Sequence, residues 1–263
     1  MTNGKAHAVR TGDATPAVPA APAHAPLGDL RFRALMGADQ WAALAPAIRR
    51  RFSKRLADSR TALYAGRIVE TRMTRLGWLL AQAARLVGAP LPLSREAGVP
   101  ATVSVTEDPA SGGQFWTRIY GRRRGFPQVI HSSKRFRGPT GLEEYLGSGL
   151  GMALTLHGAG DTLQFRSDHY FVQLAGRRMR LPGWLSPGAT TVSHIDLGDG
   201  RFTFILELCH PRLGLLIRQT GLFHDVADGE QGRQCEPQAK QSRSPDRLDC
   251  SGAARLAMTN STT

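Results

Sequence analysis

The chain has 263 residues, of which 34 are Lys or Arg and 21 are Asp or Glu, giving a formal net charge of +13 at pH 7. This length allows one sizeable hydrophobic core, and the basic balance favours anionic partners such as phospholipid surfaces, nucleic acid or acidic metabolites. Three cysteines without metal-ligand spacing argue against a disulfide framework, and no stretch reaches the roughly 20 apolar residues that span a bilayer.

Composition divides the chain into three parts. Residues 1–27 are rich in Ala and Pro, lack hydrophobic periodicity and offer no secretory signal, so we expect them to be disordered. Residues 28–226 contain the periodic segments and predict a single β-rich domain with early helices. Residues 227–263 lose nearly all large apolar side chains and predict a second disordered segment. Without a secretory signal or a disulfide framework, a cytoplasmic location is expected.

Helical spacing is confined to the first part of this domain. Residues 38–44 predict a short helix, and a second begins at Pro46, a residue that suits the first position of a helix. The clearest helix covers 75–87, where Leu and small residues recur at helical spacing before Gly88 ends the pattern.

Basic residues cluster in two stretches of the domain. Residues 31–85 hold twelve basic side chains against three acidic ones, and residues 117–137 hold seven with no acidic residue. The helix over 75–87, which contains Trp78, would then lie on an anionic membrane surface, unless it covers a barrel mouth and buries its apolar stripe. Nucleic acid is a less favoured partner because the basic runs lack interleaved aromatic residues.

From residue 99 onward the chain consists of consecutive predicted strands, several of them apolar on both faces. A strand with two apolar faces needs a second cover, which is another layer, a partner or an enclosed ligand. We therefore predict an α+β domain, with short helices packed on a curved, mostly antiparallel sheet or calyx-like barrel of about nine strands. The predicted strands are 66–74, 99–105, 114–120, 129–136, 150–157, 162–174, 190–197, 201–208 and 213–223.

Trp116, Arg118 and Tyr120 share one face of a predicted strand and form the main candidate ligand site. An Arg between two aromatic side chains can stack on them while offering its guanidinium to a carboxylate or phosphate. We add Trp184 as a further wall of the site and Arg218 as a second anion partner. The alternative is a packed core in which one Arg extends its charged end to solvent.

The catalytic alternative rests on histidines. His194 and Asp196 share a strand face and have the residue types of a general base and its orienting carboxylate, although a solvent-exposed polar pair is the favoured interpretation. His131 is a second candidate. The glycine-rich stretch 147–151 leads into a strand and not a helix, so it does not suit a phosphate-binding loop. No cofactor or metal site is expected.

Several motifs between residues 31 and 225 resemble one family: Trp116-Thr117-Arg118, Gly141-Leu142-Glu143-Glu144-Tyr145, Phe165-Arg166-Ser167, Leu181-Pro182-x-Trp184-Leu185-x-Pro187-Gly188 and His210-Pro211. The chain resembles a bacterial domain-of-unknown-function family of the DUF4166 type, whose members occur alone or fused to saccharopine-dehydrogenase-like oxidoreductases. The resemblance implies an accessory or ligand-binding role near redox or lipid metabolism, with an oxidoreductase as a candidate partner. It supplies no catalytic residues.

Three functions follow, in decreasing order of preference. The first is a non-catalytic binding module for a small apolar or anionic amphiphilic ligand. The second is a peripheral membrane-associated basic protein. The third is an enzyme of unknown reaction that uses His194 and Asp196 or His131.

Overall fold

The computed structural model describes residues 28–54, 56, 60–88, 90–175 and 177–226; the two segments predicted to be disordered, 1–27 and 227–263, lie outside these ranges. All four α-helices lie in the first part of the described chain, and strands make up most of the rest. The helices are α1 (Arg31–Met36), α2 (Ala38–Ala42), α3 (Pro46–Phe52) and α4 (Arg75–Ala83), with 3₁₀ turns at Ala84–Val87 and Gly183–Leu185. The strands are β1 (Ala62–Met73), β2 (Pro100–Asp108), β3 (Gly113–Tyr120), β4 (Gln128–Arg135), β5 (Leu142–Gly147), β6 (Leu150–Ala159), β7 (Thr162–Leu174), β8 (Arg177–Arg180), β9 (Ala189–Gly198), β10 (Arg201–His210) and β11 (Gly214–Asp225).

Ten of these strands close into an antiparallel barrel. The hydrogen-bonded order runs β6-β5-β4-β3-β2-β1-β11-β10-β9-β7, and β7 pairs with β6 to complete the ring. The short β8 pairs only with the last residues of β7, beyond the stretch of β7 that pairs with β9. Of the two predicted alternatives, a curved sheet or a calyx-like barrel, the structure shows the barrel. The helices are few and short, so the fold is mostly β, whereas α+β was predicted.

The described chain holds 11 strands, close to the predicted number of about nine, and the two strands that were not predicted are β5 and β8. β5 was missed because it contains the adjacent residues Glu143 and Glu144, whose burial no local pattern indicates. β8 was missed because it is a four-residue strand with three exposed arginines. Helix α1 was also not predicted, whereas α3 and α4 begin where the sequence placed them.

Side chains alternate between the inside and the outside of the barrel, as they must in a β-strand. On β2, Ala101, Val103 and Val105 are buried inside the barrel. On β3, Trp116 points inward, whereas Phe115 lies on the other face and is exposed. The second apolar face of β3 is therefore the outer wall of the barrel and has no second layer over it in the described chain.

Helices α1–α3 close one end of the barrel, which we call the helical end. Phe32 and Phe52 are buried there, with ring centroids 5.5 Å apart, and they form part of the main hydrophobic core. Arg51 is buried between two carboxylates that terminate strands, at 2.7 Å from Asp196 and 2.9 Å from Asp225. These contacts fix α3 to the ends of β9 and β11.

The opposite end, which we call the lid end, carries α4, the following 3₁₀ turn, β8 and the strand connections 88, 90–99, 121–127, 148–149, 175, 181–188 and 211–213. The side chain of Thr74 caps α4 by accepting a hydrogen bond from the Gly77 backbone N–H at 3.0 Å. Gly77 and Ala81 are the buried residues of α4 and pack against β11. The helix covers the barrel mouth, but Leu76 and Leu79 of its predicted apolar stripe stay exposed, so the stripe is only partly buried.

Candidate functional site

A cavity of about 450 Å³ lies inside the barrel beneath the lid. This volume falls within the range of pockets that hold small organic ligands. Most of its wall is apolar and comes from nearly every strand, with Leu80, Ala83, Ala84 and Val87 of the lid as its cover. The apolar wall residues on the strands are Ile68, Val103, Trp116, Ile130, Leu146, Leu150, Met152, Phe165, Val192, Phe204, Leu206, Leu208 and Phe223.

One side of this wall carries a compact charged cluster, formed by Arg118, Ser132, Lys134 and Glu144. The Glu144 carboxylate accepts hydrogen bonds from Ser132 Oγ at 2.6 Å and from Arg118 Nη2 at 3.2 Å. Its other oxygen lies 2.9 Å from Lys134 Nζ. Arg118 Nη1 also donates to Ser132 Oγ at 3.0 Å. Three neighbouring strands, β3, β4 and β5, therefore join their polar groups at one place inside the barrel.

The charged cluster has two cations and one anion, all facing the cavity. Burial alone would raise the pKa of Glu144, but Lys134, Arg118 and the Ser132 hydroxyl outweigh it and lower that pKa to about 2. Burial lowers the pKa of Lys134, which the Glu144 carboxylate opposes. The cavity lining thus contains two basic side chains, Arg118 and Lys134, and one acidic side chain, Glu144.

Aromatic rings surround the two cations. The Lys134 ammonium lies 4.7 Å from the Trp116 ring centroid and 5.4 Å from that of Phe165. The Arg118 guanidinium lies 5.8 Å from Trp116. These cation–π contacts hold the cations in an otherwise apolar wall without neutralising their charge.

A second polar group in the cavity wall is the pair Tyr170 and Thr190, whose hydroxyl oxygens are 2.6 Å apart. Burial raises the pKa of Tyr170, so the phenol stays protonated and remains a hydrogen-bond donor or acceptor. This pair gives the cavity a neutral polar contact in addition to the charged cluster.

The structure brings together three of the five residues proposed for the ligand site. Trp116, Arg118 and Tyr120 all line the cavity. Trp184 lies in the 3₁₀ turn at the lid end with its side chain 80% exposed, and it is not part of the cavity wall. Arg218 lies on the outside of the barrel, where its Nε is 3.6 Å from a carboxylate oxygen of Glu207.

Sequence reasoning missed Ser132, Lys134 and Glu144. A usable signal existed for the first two, because pairing the predicted strands over 114–120 and 129–136 places Ser132 opposite Trp116 and Lys134 opposite Gln114. No such signal existed for Glu144, since its strand was not predicted.

The two histidine candidates lie outside the cavity wall. His194 is buried among Phe52, Phe202 and Phe204, and stacks on Phe202 with ring centroids 4.7 Å apart. Neither of its ring nitrogens has a hydrogen-bond partner in the described part of the chain. His194 is buried, so the favoured interpretation of His194 and Asp196 as a solvent-exposed polar pair is wrong. Asp196 binds Arg51, so the alternative base–carboxylate pair does not form either.

Burial, reinforced by the charge of Arg51, lowers the pKa of His194 to about 3, so the ring is neutral at physiological pH. His131 is on the exposed outer surface of β4, with Nδ1 3.0 Å from Thr117 Oγ1. Neither histidine is placed to act on a molecule in the cavity.

Within the described ranges, no three His, Cys, Asp or Glu side chains are grouped so that they would hold a metal ion. No helix of the same ranges is both long enough and apolar enough to cross a membrane.

One protein-family model matches this chain. The family described as a domain of unknown function, DUF4166, matches residues 44–223. No curated protein matches the chain. Among solved structures, a mutant of the fluorescent protein UnaG is similar, with a TM-score of 0.28 and 10% sequence identity over 63% of this chain and 95% of that one.

Proposed function

The chain belongs to the DUF4166 family of domains of unknown function, and we propose that it is a non-catalytic module that encloses a small amphiphilic ligand with an anionic head group. The single observation that carries this proposal is the apolar cavity of about 450 Å³, whose lining has two basic side chains and one acidic side chain. An enclosed apolar surface of this kind favours a hydrocarbon or ring system, because such a ligand leaves water on binding.

The charged cluster supports an anionic head group. Arg118 donates a hydrogen bond from Nη1 to Ser132 and another from Nη2 to Glu144. Its side chain remains partly accessible to solvent. A guanidinium accommodates a carboxylate or phosphate through paired hydrogen bonds. Such bonds are stronger in a cavity shielded from water than on a surface.

Stability alone is a weak explanation for this cluster. Moving Lys134 and Glu144 out of water costs free energy, and their mutual attraction offsets this cost only when their geometry is good. Well-packed apolar residues in place of a buried ion pair often give the same stability or more. The cluster sets two basic side chains against a single carboxylate. An anionic ligand would supply the missing partner, which accounts for the composition of the cluster.

The family relationship suggests the setting of this binding. We propose that the module is accessory to redox or lipid metabolism, with an oxidoreductase as a candidate partner. The binding test below concerns the cavity alone and does not depend on this metabolic role.

The test compares a fluorescent carboxylic acid with its neutral ester. We expect the full chain to bind dansyl-undecanoate more tightly than its methyl ester, measured by fluorescence titration. Arg118→Gln should weaken binding of the acid by about 10- to 100-fold, since a hydrogen bond to a charged group contributes about 1.5–3 kcal/mol. Binding of the ester should change by less than about threefold, because the ester carries no charge for Arg118 to meet.

Arg218→Gln is the matched control, because it removes the same charge from the outside of the barrel. It should leave both affinities unchanged. Equal losses in the two variants, or equal losses of acid and ester in Arg118→Gln, would contradict an anion site at Arg118.

A further inference from the structure

The lid end exposes large apolar side chains to solvent. Phe126, Leu86 and Trp184 are 91%, 86% and 80% exposed and are the three most exposed large apolar residues of the described chain. They come from three separate elements: the connection between β3 and β4, the 3₁₀ turn after α4, and the 3₁₀ turn before β9. Single exposed apolar residues need no explanation, but a group of them at one end of a molecule marks an interaction surface.

Helix α4 extends this surface because it has more apolar side chains than its packed face buries. Its inner face covers the cavity and packs on β11. Leu76, Trp78 and Leu79 are exposed. The lid therefore adds three exposed apolar side chains to this end of the molecule.

The same end is strongly basic. Helix α4, its 3₁₀ turn, β8 and the strand connections that define the lid end contain ten arginines and a single acidic residue, Glu96. One of the ten, Arg178, pairs with Glu143. Arg122, Arg123 and Arg124 form an exposed run two residues before Phe126. Exposed apolar and cationic side chains thus occur together at this end, with little negative charge to repel an anionic partner.

Positive charge alone does not distinguish the two ends of the barrel, because the helical end also has exposed arginines. Arg33, Arg50 and Arg60 are exposed there as well. The exposed large apolar residues of that end are Leu30 and Leu197, and neither adjoins an arginine run like that before Phe126. Only the lid end combines a basic surface with several highly exposed apolar side chains.

We propose that the lid end docks on an anionic phospholipid bilayer. The apolar side chains would enter the boundary between head groups and acyl chains, where Trp is favoured at membrane interfaces. The arginines would contact the phosphate and carboxylate groups of the lipid heads. Docking in this orientation places the lid, and therefore the covered mouth of the cavity, against the membrane. This inference concerns the outer surface and goes beyond the proposed ligand-binding function.

The test is co-sedimentation of the full chain with two kinds of vesicle, one of phosphatidylcholine and one of equimolar phosphatidylcholine and phosphatidylserine. We expect binding to the anionic vesicles and at least about tenfold weaker binding to the neutral ones, since each basic residue near an anionic surface adds to the attraction. Tryptophan emission should shift to shorter wavelength on binding, because Trp78 and Trp184 leave water.

Two triple variants with the same change of charge separate a docking surface from general attraction. Arg122→Gln, Arg123→Gln and Arg124→Gln together should weaken binding at least about tenfold. Arg33→Gln, Arg50→Gln and Arg60→Gln together should change it less than about threefold, because these residues lie at the other end. A third variant, Phe126→Ser with Trp184→Ser, should lose most of the binding while unfolding like the wild type.

Three results would overturn the proposal. They are equal losses in the two triple variants, equal binding to neutral and anionic vesicles, and binding to poly-glutamate without binding to vesicles. The last would assign the surface to an acidic protein. Each result is independent of the dansyl-undecanoate titration, so the docking surface and the cavity ligand are tested separately.

Discussion

His194 illustrates how a single residue can be misjudged from sequence. It occupies an inward position of β9, so its ring lies in an aromatic cluster and its nitrogens have no partners in the described chain. The spacing of His194 and Asp196 favoured a solvent-exposed polar pair over a general base with its carboxylate, but His194 is buried and Arg51 from α3 takes the carboxylate. That competition comes from a helix more than 140 residues earlier in the chain, and no local spacing reveals it.

We expect His194→Leu to stabilise the protein at pH 7 by about 1–2 kcal/mol, because it removes buried nitrogens that lack hydrogen bonds. The pKa of the ring is lowered to about 3 from an ordinary 6.5, so between these values the unfolded state binds the extra proton. The stability of the wild type should therefore fall as the pH drops from about 6.5 towards 3, and this contribution is absent in the variant. Urea unfolding at pH 7, 6 and 5 measures the difference, which should grow as the pH falls.

His157→Leu is the control, because that ring is exposed on β6. Its effect should be small and should not grow on acidification. A His194→Leu variant that is less stable than the wild type, or one with an unchanged pH dependence, would show that the His194 ring makes favourable contacts as a polar group.

At the scale of elements, α4 determines how the cavity is closed. The helix approaches β11 closely because residue 77 is Gly: a Cβ at that position would lie 2.2 Å from the Leu216 carbonyl oxygen. The Thr74 cap fixes where the helix begins, and Leu216 also accepts a hydrogen bond from the Thr74 backbone N–H at 3.0 Å. The lid is therefore held at its N-terminal half.

Gly77→Ala should destabilise the protein by about 1–3 kcal/mol, because the added methyl forces the helix and β11 apart. Helix propensity alone predicts the opposite, a gain of about 0.5–1 kcal/mol for Ala over Gly. Urea unfolding distinguishes these outcomes, and Gly183→Ala is the matched control, since a Cβ at Gly183 meets open space. A stabilised Gly77→Ala variant would mean that α4 is not packed against β11 as described.

The elements predicted correctly are those with a strong local pattern. The helix over 75–87 has regular apolar spacing and a glycine stop, and the structure places α4 and its 3₁₀ turn over the same residues. Strands with alternation were found as well. β5 and β8 depend on long-range partners: Glu143 is buried because Arg137 and Arg178 reach it from other parts of the chain.

The sequence predicted the strand face that carries part of the site, but not the residues that other strands add to it. The period of two placed Trp116, Arg118 and Tyr120 on one face, and that face lines the cavity. Lys134 and Glu144 join Arg118 only through the pairing of β3, β4 and β5, which is a property of the whole sheet.

At the scale of the whole molecule, helices cover both ends of the barrel, and the space between them is not filled. Helices α1–α3 and their phenylalanines pack one end, whereas α4 covers the other and leaves the cavity beneath it. Protein interiors are ordinarily packed as densely as organic crystals, so a cavity of about 450 Å³ represents a large loss of packing energy. A ligand that fills this space restores those contacts, and this is the central claim of the proposed function.

Native mass spectrometry of the full chain, purified without detergent, tests this claim most directly. We predict a discrete added mass above the 28.5 kDa chain that disappears under denaturing conditions and that solvent extraction identifies as an anionic amphiphile. A spectrum that shows only the bare chain, both as purified and after incubation with dansyl-undecanoate, would contradict the claim that the cavity is a binding site.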